Sequence, residues 1–261
     1  MSRFLTLAYG LVAYVLFLGA FLYLLAFLAN LPVGPTVDHG PATAWPLALA
    51  INVGLLALFG LQHSVMARPT FKQWWTRFVP QPIERSTYVL ATNLALAVLY
   101  WQWRPLDAVV WDLSGTVGGY LMWGLFAAGW LAVLATTLLI NHFDLFGLRQ
   151  VWLYFRRRPY TSLGFVTPGP YRFIRHPLYV GWMAAFWATP TMTLGHLLFA
   201  AGLSSYILIA IYFEERNLVQ FHAEYGEYRR RVPRFVPRLR WQASREAGAV
   251  QVARETVHAR N

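Results

Sequence analysis

The sequence predicts an all-α fold: a polytopic membrane bundle of five to six helical spans, with a C-terminal helical hairpin and a cytoplasmic cofactor site. Three observations carry it. Of the 261 residues, 57% are hydrophobic and only 13% charged, a balance outside the range of ordinary water-soluble domains. The apolar residues are gathered into runs of about 20, the length a helix needs to cross a hydrocarbon core of ~30 Å. The basic residues fall between and after these runs, where they act as topology determinants.

The runs lie at about residues 6–29, 45–66, 86–103, 118–141, 178–192 and 196–213. The first is longer than the apolar core of a secretory signal and has only Arg3 before it, so it reads as a span. The fifth is short, and Pro190 and Gly195 frame a turn after it, so the last two runs form one tight hairpin whose first arm stops short of the far interface. Arg68, Lys72, Arg77 and Arg85 occupy the second connection, Arg149, Arg156, Arg157, Arg158, Arg172 and Arg175 the fourth, and Arg216, Arg229, Arg230 and Arg231 follow the last run. The first connection, residues 31–44, has neither Lys nor Arg. With six spans, both termini are therefore cytoplasmic. Residues 1–240 form one integral-membrane domain. Beyond Arg216, Leu218, Val219, Phe221, Tyr225 and Tyr228 alternate with charges, as suits a helix on the membrane face, and the basic arm from Arg229 to Arg240 suits anionic headgroups. Residues 241–261 are a polar tail.

The formal charge of +11 does not imply nucleic acid, because no separate basic soluble domain carries it. Cysteine is absent, so disulfides, thiolate ligands and a protein thiol nucleophile are excluded. A transporter would carry ionisable residues at mid-span, whereas here they collect at span ends.

Two segments at those ends concentrate chemistry. In Thr167-Pro-Gly-Pro-Tyr-Arg-Phe-Ile-Arg-His-Pro-Leu-Tyr179, Pro-Gly-Pro forces a turn and Pro177 fits the first helical position, so a helix begins beside His176. Its free N–H groups with Arg175, His176 and Tyr179 suit an anion such as a carboxylate. Glu214 and Glu215 close the sixth run, where the helix dipole disfavours negative charge, so a positive partner is expected. That partner is either an arginine, Arg216 or one from the loop, or a ligand ammonium. A hairpin sets the two segments side by side, the arrangement a zwitterionic amino-acid headgroup needs. A purely interfacial role for the same Arg and Tyr residues stays open.

Gln62-His63-Ser64 and Asn141-His142-Phe143-Asp144 end the second and fourth runs on the same membrane face. No ligand set of metal spacing accompanies these histidines, so no metal is expected, and an acid–base role suits them better.

The stretch Gly169-Pro-Tyr-Arg-Phe-Ile-Arg-His-Pro-Leu-Tyr179, followed by Glu214-Glu215 and then Tyr225, Tyr228 and Arg231, resembles the isoprenylcysteine carboxyl methyltransferase superfamily. Leu61-Gln-His-Ser-Val-Met-Ala-Arg-Pro69, Glu84-Arg85-Ser-Thr-Tyr88 and Trp101-Gln-Trp-Arg-Pro105 resemble its nurim-like branch. The resemblance implies an enzyme of a bacterial inner membrane that uses S-adenosyl-L-methionine to methylate a small volatile thiol, methanethiol, to dimethyl sulfide. It implies that Tyr171, Arg175, His176 and Tyr179 bind the carboxylate side and adenosine of the cofactor, with Phe165 and Val166 beside the adenine, and that Glu215 with Glu214 holds its ammonium. Alternatives within the resemblance are a non-catalytic nurim-like protein, or a methyltransferase acting on a prenylcysteine carboxylate, a lipid amine or a larger thiol.

For a thiol acceptor the reactive species is the thiolate. His142, held by Asp144, is the first candidate for taking its proton and His63 the second, while Arg85 or Arg149 stands ready to stabilise the anion. Tyr88 or Trp152 offers a ring to a sulfonium cation.

Overall fold

The computed structural model describes residues 2–221 and 223–237. Residues 238–261, with the polar tail and the end of the basic arm, lie outside the described residues. Ten α-helices are present among the described ones: α1 Arg3–Leu28, α2 Trp45–Ala67, α3 Pro69–Trp75, α4 Glu84–Gln102, α5 Val117–Ile140, α6 His142–Leu145, α7 Leu148–Phe155, α8 Pro177–Trp187, α9 Leu194–Phe221 and α10 Ala223–Arg231.

Four of these, α1, α2, α5 and α9, are long and apolar enough to cross a membrane. The protein is integral to the membrane. The third apolar run folds as α4, but buried Ser86 and Asn93 give it a polar component, and it packs between α1 and α2. The fifth run is helical only as α8, whose 11 residues reach about 16 Å. The backbone then continues without helix through Ala188, Thr189, Met192 and Thr193, all buried. Non-helical backbone is tolerated at such depth where protein surrounds it.

Successive long helices run in alternating directions, which separates two ends. At one end, β1 (Val109–Asp112) pairs antiparallel with β2 (Thr191–Thr193), joining the α4–α5 connection to the α8–α9 turn. This two-stranded sheet has no alternating apolar pattern in sequence to announce it. Trp103 Nε1 donates to Val37 O at 3.0 Å, and buried Asn52 of α2 donates to Arg104 O at 2.6 Å while accepting from Arg104 N at 2.9 Å. These bonds satisfy carbonyls and amides where α4 ends. Phe27, Trp103, Phe186 and Phe199 interlock as the core beneath them. The opposite end gathers the 68–83 and 141–176 connections and residues 223–237, and it holds the candidate site.

α5 and α8 pack backbone to backbone. A Cβ on Gly129 would stand 2.7 Å from Ala185 N and 2.9 Å from Gly181 O, and one on Gly181 would stand 3.0 Å from Val133 N. Small residues give membrane helices this close approach. Gly129→Val is therefore expected to push α8 off α5 and cost about 1–3 kcal/mol or more, read as a lower unfolding temperature in detergent. Gly19→Val, where a Cβ meets nothing within 4 Å, should melt like the parent.

Candidate functional site

His176 is the N-cap of α8 and Pro177 its first residue, as the Pro-Gly-Pro and His-Pro signals predict. The connection before it makes a 3-10 turn at Gly169–Arg172, with Gly169 at φ +50°. Pro233 O accepts from Arg175 N at 2.9 Å and Arg234 O from His176 N at 3.2 Å, so the chain after α10 is laid across the start of α8.

Glu215 is at the centre, 2% exposed. Arg175 Nε and His176 Nε2 both lie 2.9 Å from its Oε1, while Arg234 Nη2 at 3.2 Å and Arg229 Nε at 3.5 Å face Oε2. Arg175 Nη1 also donates to Arg229 O and Val232 O, at 2.8 and 2.6 Å. The expected positive partner of Glu215 is thus a set of protein cations, led by a loop arginine, and Arg216 is not among them. The dipole argument for that partner needs correction: α9 continues to Phe221, so Glu215 lies before the last turn, the stretch in which a helix end acts on charge. Two adjacent residues on a helix point about 100° apart. Glu214 accordingly turns elsewhere, is exposed, and accepts from the Tyr179 hydroxyl at 2.8 Å.

Beside this network, Phe165 meets the rings of Tyr225 and Tyr228 edge-on at 5.6 and 5.3 Å, and Tyr228 donates to Tyr171 O at 2.6 Å. Val166 is exposed and does not join them. Burial pushes the Tyr228 phenol up to about 12 and raises those of Tyr171 and Tyr225 as well, so all three remain hydroxyl donors near neutral pH. The Tyr225 hydroxyl is buried without a hydrogen-bond partner among the described residues. A buried donor left unsatisfied is costly, and a ligand acceptor would relieve it.

The two other histidine clusters do not converge. His142 is buried with Nε2 2.8 Å from the Tyr14 hydroxyl and Nδ1 3.1 Å from Thr137 Oγ1, among the rings of Phe17, Phe143 and Phe146. Asp144 does not hold it. Asp144 instead pairs with Arg149 at 2.9 Å and accepts from Tyr160 at 3.3 Å, while Arg149 donates to Thr161 O and Oγ1. The reason is helical geometry: His142 and Asp144 are two apart, a spacing that places side chains on different faces. Burial lowers the His142 pKa from 6.5. The folded state then disfavours its imidazolium, so the stability it confers is present above pH 6.5 and lost as pH falls through and below that value. His142→Asn should flatten the decline of unfolding temperature between pH 7 and 5, and an unchanged decline would assign it to other groups.

His63 stacks on Phe59 with ring centroids 5.4 Å apart, and the Tyr88 hydroxyl lies 2.9 Å from its Nε2 and 3.0 Å from its Nδ1. Tyr206 of α9 meets the His63 ring edge-on at 6.2 Å and accepts from Ser64 at 3.4 Å. His63, Ser64, Tyr88 and Tyr206 thus form one cluster where α2, α4 and α9 meet. Arg85 sits 5.8 Å over the Tyr88 ring. Trp152 is half exposed against Phe155 and Arg156, away from these groups.

Among known proteins, the chain is 52% identical over 238 residues to the methanethiol S-methyltransferase of Mycobacterium tuberculosis (strain ATCC 25618 / H37Rv), which covers 91% of this chain and 98% of that one. It is 50% identical to the methanethiol S-methyltransferase of Crocosphaera subtropica (strain ATCC 51142 / BH68), over 91% and 93% of the two chains. The chain belongs to the methanethiol S-methyltransferase family. Nurim of Sus scrofa is a more distant relative, 31% identical over 67% of this chain and 70% of that one, in keeping with the nurim-like branch. No protein-family model matches the chain, and no solved structure does.

In this member of the methanethiol S-methyltransferase family, Arg229, Arg234 and Tyr206 are the residues of the candidate site that sequence reasoning missed. Arg229 and Arg234 read as part of a headgroup-binding arm, and nothing local marks them as partners of a glutamate 14 and 19 positions earlier. Tyr206 carried only a faint signal: a phenol in the last apolar run, two helical turns before Glu214.

Proposed function

We propose that this protein is an S-adenosyl-L-methionine-dependent methyltransferase that converts methanethiol to dimethyl sulfide. It works in the bacterial inner membrane, with both termini and the site on the cytoplasmic side. The observation that carries the proposal is the meeting of Arg175, His176 and Tyr179 with Glu214 and Glu215 at one end of the bundle, in a chain half identical to proteins named for that activity. Positive-inside counting supports the orientation, because that end carries the basic connections.

The residues present fit the cofactor. Tyr225 offers an orphaned hydroxyl beside the Phe165 and Tyr228 rings, which suits adenosine. Arg175 and His176 at the start of α8 suit a carboxylate. For the ammonium, exposed Glu214 is better placed than Glu215, whose two oxygens are already surrounded by cations. Glu215 then positions Arg175 and His176. When bound, S-adenosyl-L-methionine supplies a methyl group on a sulfonium, which an acceptor thiolate takes, leaving S-adenosylhomocysteine.

The chain's own task is to make the thiolate and keep it aligned. His63 is the better proton acceptor of the two histidines, reversing the order expected from sequence, because its ring neighbour Tyr206 stands on α9, the helix that carries Glu214 and Glu215, and its partner Tyr88 lies under Arg85, whereas His142 is enclosed by Tyr14, Thr137 and phenylalanine rings. The proton of the thiol S–H passes to His63, with the Tyr88 hydroxyl fixing the ring. Arg85 lies near enough to favour the anion. A one-carbon acceptor offers little binding energy, so selectivity comes from excluding larger thiols.

Purified protein incubated with S-adenosyl-L-methionine and methanethiol is expected to release dimethyl sulfide into the headspace, with less or no product from larger thiols, a prenylcysteine or a lipid amine. A folded protein giving no product from any acceptor would overturn the proposal in favour of a non-catalytic nurim-like role.

A further inference from the structure

We infer that a cleft at the α9–α10 corner, which borders the candidate cofactor site and shares Glu215, Arg229 and Arg234 with it, binds the headgroup phosphate of an anionic phospholipid whose acyl chain lies along α9. The cleft has a volume of about 290 Å³ and is lined by Tyr212, Arg216, Val219 and Gln220 of α9, with Arg229, Arg234 and the buried edge of Glu215. Three guanidinium groups, those of Arg216, Arg229 and Arg234, therefore line the cleft with one carboxylate, which pairs with the last two. That carboxylate is also shared with Arg175 and His176, so the positive charge exceeds what the protein neutralises. Arg216 is exposed and has no hydrogen-bond or ion-pair partner among the described residues. A cluster with this surplus calls for an external anion, and guanidinium forks suit phosphate oxygens.

The surface leading into the cleft identifies the source of the phosphate. Leu208, Tyr212 and Arg216 follow at intervals of four on α9, so they form one stripe. Leu208 is 50% and Tyr212 61% exposed, and Val219 flanks the stripe at 43%. The stripe runs from apolar to aromatic to cationic along a membrane-spanning helix, the same order as acyl chain, interface and headgroup. A soluble phosphate would use only its last member.

The test is lipid retention by the full-length protein in nanodiscs of phosphatidylcholine with or without phosphatidylglycerol, read by native mass spectrometry after transfer to detergent. Phosphatidylglycerol should be retained in preference to phosphatidylcholine. Arg216→Gln should lower that retention about fivefold, the effect of about one cationic side chain near an anionic surface, without changing the unfolding temperature. Equal retention of the two lipids, or unaltered retention by the variant, would overturn the inference. So would competition by inorganic phosphate at equal concentration, which would make the cleft a plain anion site. Displacement of the lipid by S-adenosyl-L-methionine would assign the cleft to the cofactor instead, and would leave the proposed methyl transfer standing.

Discussion

Glu215→Gln is expected to lower the stability of the protein by about 3 kcal/mol and to remove measurable affinity for S-adenosyl-L-methionine. The amide keeps the shape of the carboxylate and one acceptor oxygen, but it cannot neutralise the cations that converge on Glu215. Removing one partner of a buried ionic cluster leaves the others desolvated and uncompensated, which costs about 3–5 kcal/mol. Arg175, with 9% of its side chain exposed, bears most of that cost, since Arg229 and Arg234 reach water. The unfolding temperature should fall by several degrees, on the order of 10 °C for a chain of this size. The chain after α10, which Arg175 holds through Arg229 O and Val232 O, should exchange its amides faster. Thermal unfolding in detergent, hydrogen exchange and calorimetric titration with the cofactor read the three effects. Parental melting together with parental affinity would show the cluster to be peripheral to both folding and binding.

His63→Phe is expected to lower kcat by about 10²-fold or more, the usual contribution of a positioned general base, with little change in cofactor affinity. Phenylalanine preserves the stacking on Phe59 and the edge contact with Tyr206, so packing is retained while proton acceptance is lost. His142→Asn should leave kcat within a few-fold of the parent. Tyr88→Phe should fall between, because it removes the hydroxyl beside the imidazole but not the base itself. The opposite ranking, with His142 essential and His63 dispensable, would restore the assignment that the sequence favoured and sink the one based on packing.

The difference between those assignments shows where local pattern stops being informative. His142 and Asp144 look like an oriented base because they are near in sequence, yet a separation of two in a helical turn sends them apart, His142 to Tyr14 and Asp144 to Arg149. His63 looks like an ordinary span-end histidine until α4 brings Tyr88 and α9 brings Tyr206 against it. Glu214 and Glu215 read as a single acidic pair, but the helical rotation between them gives one to Tyr179 and the other to a buried cluster of cations. The sheet between β1 and β2 was equally illegible, since each strand is a few residues long and gains its partner only when α8 and α9 turn back.

The sequence by itself determined that this is a helical membrane protein, where its apolar helices begin, which end collects the basic residues, and that a helix starts at His176 with Glu214 and Glu215 within reach. Hydropathy, proline placement and charge act over one helix length or less, so they can be read along the chain. Only the tertiary structure decided that Arg229 and Arg234 return to Glu215, that His142 and Asp144 part, and that Tyr88 and Tyr206 meet His63. Those depend on how far helices approach at Gly129 and Gly181 and on which face each turns to its neighbour. Such distances and rotations belong to pairs of segments far apart in the chain, and no single stretch of residues encodes them.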